Sequence, residues 1–156
     1  MNTYLLLKWL HIMSSVLLVG TGFGSAFYLY FANRTRNVEA IAHVVRLVVR
    51  ADWWFTTPAI VLQPATGFAM VMMAGYSLSQ SWLLWSLALY GLAGACWLPV
   101  VWLQLRMATF AARAAAERTP LPEQYWRCAK RWELLGYPAF LAMLGIYYLM
   151  VFKPVF

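Results

Sequence analysis

Four long apolar runs, separated by polar gaps of unequal character, organise the chain. The first, Tyr4–Ala32, is interrupted only by Lys8, His11, Ser14, Ser15 and small residues. It exceeds the about 20 apolar residues that a membrane-crossing helix needs. It is also too long for a signal-peptide core of about 7–15 residues, and no basic segment precedes it, so it reads as a retained helix. The second run is Trp53–Tyr76, with Pro58 and Pro64 inside it. The third is Trp82–Leu105, with Gly91, Gly94 and Pro99, and the fourth is Trp132–Phe152, with Pro138 near its start.

The gaps carry their own patterns. Val38, Ile41, Val45 and Val48 recur at helical spacing while Glu39, Arg46 and Arg50 fall elsewhere. That predicts a surface helix or an extension of the second segment. Asp52 stands where a helix N-cap belongs, within reach of Arg46 or Arg50 for an interfacial ion pair. The third helix is expected to run on through Arg106 and Ala108–Ala116 until Thr119-Pro120-Leu121-Pro122 stops it. Glu123–Arg131 then reads as a basic approach to the fourth segment.

Composition makes the membrane assignment firm. Hydrophobic residues are 63% of the chain and charged ones 11%, against roughly 45–50% and 25% in soluble domains. So few charges leave a soluble fold with large exposed apolar patches, whereas lipid covers them. The expected fold is an all-α membrane protein, a four-transmembrane-helix bundle forming one integral membrane domain. The net charge of +7 does not indicate nucleic acid, because its carriers lie in the gaps between apolar runs. Arg34, Arg36, Arg46 and Arg50 fill the first gap, and Arg106, Arg113, Arg118, Arg127, Lys130 and Arg131 the third, while the second gap has none. Basic loops stay cytoplasmic, which predicts both ends of the chain outside a bacterial inner membrane. The partners to expect are the bilayer, with a membrane redox partner or a second copy of the chain.

His11 is the residue with the most chemistry. It lies inside the first span, about 12 Å from its outer end, where an ionisable group is costly and its default reading is functional. The competing reading is a neutral histidine bonded to a backbone carbonyl or to Ser15. At the same depth the other spans place Gly67, Tyr90 or Gly91, and Leu144 or Gly145. Gly67, Gly91 and Gly145 level with a histidine suggest room for a flat cofactor, although close helix packing explains each glycine separately. Lys8 shares a helix face with His11 and either snorkels to the interface or pairs with an acidic group. His43 lies more than about 25 Å away along the bundle, so it cannot share a haem with His11.

The remaining polar groups carry weaker signals. Gln63, near mid-bilayer, reads as an interhelical hydrogen-bonding residue or one that satisfies carbonyls freed by Pro64. Met70, Met72 and Met73 are thioethers suited to copper, though methionine in an apolar helix usually packs. Cys96 and Cys128 have no paired spacing and read as unbridged. No acidic residue falls deep in a span, which argues against a proton-coupled relay.

The strings Leu7-Lys8-Trp9-Leu10-His11-Ile12, Gly20-Thr21-Gly22-Phe23-Gly24, Asp52-Trp53-Trp54-Phe55-Thr56-Thr57-Pro58 and Gly94-Ala95-Cys96-Trp97-Leu98-Pro99 resemble a bacterial family of predicted integral membrane proteins of unknown function, over nearly the whole chain. More distantly, Lys8-x-x-His11-Ile12 is similar to the first helix of HemJ-type protoporphyrinogen oxidases, and the layout to CopD-type membrane domains. The Leu-Pro-Arg stretch that follows the first-helix glycine in the HemJ-type pattern is absent here. That resemblance implies haem b at His11. The leading expectation is therefore a haem b protein for electron transfer or porphyrin oxidation. The alternatives are a non-catalytic membrane subunit or scaffold, and a copper or small-solute conduit.

Overall fold

The computed structural model describes residues 2–154, and all of their regular structure is helical. Helix α1 spans Thr3–Thr35, α2 Val38–Ala51, α3 Thr57–Met73, α4 Ser81–Glu117 and α5 Glu123–Phe152. Asp52–Thr56 is a π-helical turn that joins α2 to α3 without a break. Val38–Met73 is thus one continuous helical rod, and four rods among the described residues are long and apolar enough to cross a membrane. At 1.5 Å per residue the longest, α4, extends about 55 Å, well beyond the roughly 30 Å hydrocarbon core.

Local chemistry explains the ends. The Asn2 side chain accepts from the Tyr4 N–H and Asn37 from the Ala40 N–H, both at 3.0 Å, so each caps a helix start. Arg36 and Arg118 take left-handed backbone angles (φ 58° and 52°) and end α1 and α4. Gly75, at φ 68°, makes the turn after α3, a conformation that costs a side-chain-bearing residue energy.

Two sequence expectations are corrected. Asp52 is not an N-cap and pairs with no arginine; it has helical angles, is buried, and lies inside the continuous rod. Its carboxylate accepts from the Thr56 hydroxyl at 2.8 Å and from the Gln104 amide of α4, and the Trp132 indole of α5 donates to the Gln104 carbonyl at 3.1 Å. Nor is Glu123–Arg131 merely an approach: it forms the first turns of α5. Tyr125, Cys128, Ala129 and Trp132, spaced three to four apart, bury one face there.

The main core gathers at the basic end. Leu29, Ile41, Val45, Leu103, Met107 and Tyr125 belong to one buried cluster, with α2 wedged between α1 and α4. Tyr125 donates to the Asn33 side chain of α1 at 2.7 Å, and Arg36 lies 4.1 Å over the Trp126 ring. Beyond the π turn this wedge is gone. There α1 packs on α3, and α4 on α5, while no Cα of α3 comes within 8 Å of α4 or α5. In the opposite half the α1/α3 and α4/α5 pairs thus enclose a space, and they meet along one side, where Phe23 of α1 stacks on Phe140 of α5 and the Tyr147 hydroxyl donates to the Ser15 carbonyl at 3.3 Å.

Candidate functional site

The space between the pairs is walled by all four rods. His11 and Ser14 lie three apart on α1, and Gln63 and Thr66 three apart on α3, so two polar pairs meet face to face. The Thr66 hydroxyl donates its one hydrogen to the Leu62 carbonyl at 2.7 Å, which leaves its oxygen to accept from His11 Nδ1–H at 3.0 Å. Gln63 Nε2–H then donates to His11 Nε2 at 3.1 Å, and Ser14 Oγ–H to Gln63 Oε1. The histidine is held as the Nδ1–H tautomer with its basic nitrogen on the Gln63 amide. Ser15 takes no part; it donates to the Ile12 carbonyl.

Beside this cluster lies a cavity of about 440 Å³. Its walls are largely apolar, from residues such as Phe68, Leu83, Leu87 and Ile146, with His11, Gln63 and Tyr90 as polar points. Lys8 and Lys153 both line it from the end opposite the basic cluster. Lys153 donates to the Tyr76 hydroxyl at 3.2 Å and lies over the Tyr76 and Trp82 rings. A concave apolar site with a few convergent polar groups is the usual form of a small-molecule pocket.

Tyr90 spans the gap that the backbones leave open. Pro64 has no N–H, so the Ile60 carbonyl loses its helical donor, and the Tyr90 hydroxyl of α4 supplies one at 2.6 Å. This role had been a sequence-based expectation for Gln63, which is committed to His11 instead. Tyr90→Phe is expected to destabilise the protein by about 1–3 kcal/mol, the cost of one orphaned buried acceptor. Denaturant titration in detergent measures it.

Of the five residues expected at a cofactor site, the fold brings three together. His11, Lys8 and Gly67 line the cavity, whereas Gly91 and Gly145 do not. Gly67 makes room for the imidazole: a Cβ there lies 3.1 Å from His11 Cε1. At Gly145 the close neighbour is Leu89, at 3.0 Å, which is helix packing between α4 and α5. Gly91 is exposed, with nothing within 4 Å of an added Cβ. The methionines separate likewise: Met70 lines the cavity, and Met72 and Met73 are 79% and 53% exposed. His43 is exposed on α2, on the far side of the π turn. The two cysteines are free and buried. Sequence reasoning passed over Thr66, Lys153, Met143 and Met150; only the Gln63/Thr66 spacing signalled any of them.

A family model described as "Predicted integral membrane protein (DUF2269)" matches residues 5–154. The chain belongs to this family. Neither a curated protein nor a solved structure matches it. The family description establishes an integral membrane protein and says nothing of haem, porphyrin or copper.

Proposed function

We propose that this membrane protein binds haem b in the cavity between its helix pairs and serves electron transfer or porphyrin oxidation in a bacterial inner membrane. The observation that carries this reading is an imidazole, fixed as the Nδ1–H tautomer, in the wall of an apolar cavity with two lysines at one end. His11 would hold the iron through its Nε2 lone pair, with Thr66 orienting the ring through Nδ1–H. Lys8 and Lys153 suit the two propionates as cationic partners. Haem b supplies a one-electron redox centre when bound. Met70, Met143 and Met150 bring thioethers to the same cavity, soft groups that would also suit haem iron.

One contact opposes the fit. The Gln63 amide occupies the Nε2 lone pair and would have to turn away for His11 to hold iron. That contact favours a second reading, in which His11 is a structural link between α1 and α3 and the protein is a non-catalytic membrane subunit.

An absorption spectrum separates the two readings. Protein purified in mild detergent, or titrated with haemin, is expected to show a Soret band that His11→Ala abolishes and Lys8→Ala weakens. Colourless protein that leaves free haemin's spectrum unchanged establishes the structural reading instead.

A further inference from the structure

At the basic end a second cavity, of about 380 Å³, opens between the last turns of α4 and the connector that leads into α5. Arg106, Phe110, Arg113 and Glu117 recur along one face of α4, and Pro120 and Pro122 of the following connector close the other side. The Arg106 guanidinium stands 4.9 Å from the Trp102 ring centroid and 5.4 Å from that of Phe110. Neither arginine nor Glu117 is in an ion pair; the single one among the described residues is Arg127–Glu123. Two cations and one anion therefore line the cleft with no close ion-pair partner among the described residues.

Their order along α4 is informative. Arg106 follows the apolar span directly, next to Trp102, a residue type that marks the headgroup level. Arg113 lies about 10 Å further along the axis and Glu117 about 6 Å beyond that. Side chains on a helix lean toward its N-terminus, which for α4 is the direction of the membrane. Both arginines therefore reach toward the plane of lipid phosphates, and the carboxylate stands one step outside it.

We propose that this cleft binds the headgroup of a membrane phospholipid carrying a phosphodiester followed by a primary ammonium, as in phosphatidylethanolamine. The guanidiniums take the phosphate oxygens, for which their planar donor array is suited, and Glu117 takes the ammonium. The two prolines limit the connector's freedom, so little ordering is needed on binding. Phosphatidylglycerol offers the same phosphate but an uncharged diol where Glu117 requires a cation. The inference is independent of what the larger cavity holds.

Native mass spectrometry on full-length protein released from nanodiscs with equal fractions of the two lipids tests this. Wild type is expected to retain phosphatidylethanolamine about tenfold over phosphatidylglycerol, the factor that about 1.4 kcal/mol supplies. Glu117→Gln is expected to bring the two lipids level, and Arg113→Ala to lose both. All three proteins are expected to melt within a few degrees of one another, since both side chains are exposed. Equal retention of both lipids by wild type overturns the proposal, as does an unchanged preference in Glu117→Gln.

Discussion

Replacing Asp52 by alanine is expected to lower stability by about 2–3 kcal/mol, while asparagine at the same position costs less than about 1 kcal/mol. The difference follows from what each variant leaves behind. Asp52 accepts from Thr56 and from Gln104, and Gln104 in turn accepts from Trp132, so three rods meet on one carboxylate. Alanine leaves the Gln104 amide hydrogen and the Thr56 hydroxyl without that acceptor. Each buried donor so stranded costs about 1–3 kcal/mol, and the Thr56 hydroxyl recovers part by turning to a helix carbonyl. Asparagine keeps one oxygen for Gln104, and its amide N–H donates to the Thr56 oxygen while the Thr56 hydroxyl turns to a helix carbonyl, so every group remains paired. Unfolding titrations of Asp52→Ala, Asp52→Asn, Gln104→Ala and the double variant Asp52→Ala/Gln104→Ala measure this. Coupling near zero between Asp52 and Gln104 contradicts the account.

Gly67→Val is expected to destabilise by about 2–4 kcal/mol and to abolish haemin binding, whereas Gly91→Ala stabilises slightly. An added Cβ at 67 meets His11 Cε1 at 3.1 Å, and valine adds two methyl groups beyond it. The ring cannot yield without leaving Thr66 and Gln63, because both its nitrogens are bonded to the helix that carries residue 67. Overpacking costs about 1–3 kcal/mol and each lost bond about 0.5–1.5. Gly67→Ala is the closer contest: up to about 1 kcal/mol of helix propensity is gained against partial loss of the same two bonds. At Gly91 nothing opposes that gain. Melting in detergent together with haemin difference spectra reads both effects; a Gly67→Val protein as stable as wild type rules out the packing argument.

Much of the fold was legible because lipid imposes a strong, simple constraint. Apolar runs marked the spans, and the Val38–Val49 periodicity marked α2 with its buried Ile41, Val45 and Val48. Depth along a helix was legible too, since rise per residue is constant. Azimuth was not. Gly91 has the right height for His11 but points outward, because its facing depends on how α4 packs, which a depth count does not contain. Asp52 was misread for a related reason. A carboxylate beside arginines invites an interfacial pairing, and only the tertiary fold shows that Gln104 and Trp132 arrive from two other helices. The start of α5 was hidden by its charges, although Tyr125, Cys128 and Trp132 already held the helical spacing. His11 was found from its cost in lipid alone, while its partners Gln63 and Thr66 required the α1/α3 register.

The π turn at Asp52–Thr56 is one wide turn in an otherwise regular rod, and it takes up a single surplus residue. An α-helix advances about 100° per residue, so a residue gained or lost in a regular stretch rotates everything beyond it by that angle. Deleting one position in the π turn restores regular α-helix and leaves Gln63 and Thr66 facing His11. The same deletion between Thr57 and Leu62 swings both about 100° away, while in the connector between α3 and α4 it rotates nothing. Length variation is therefore absorbed at the wide turn and ruinous just past it, and the tolerated lengths of these stretches are a direct record of which helix faces must meet.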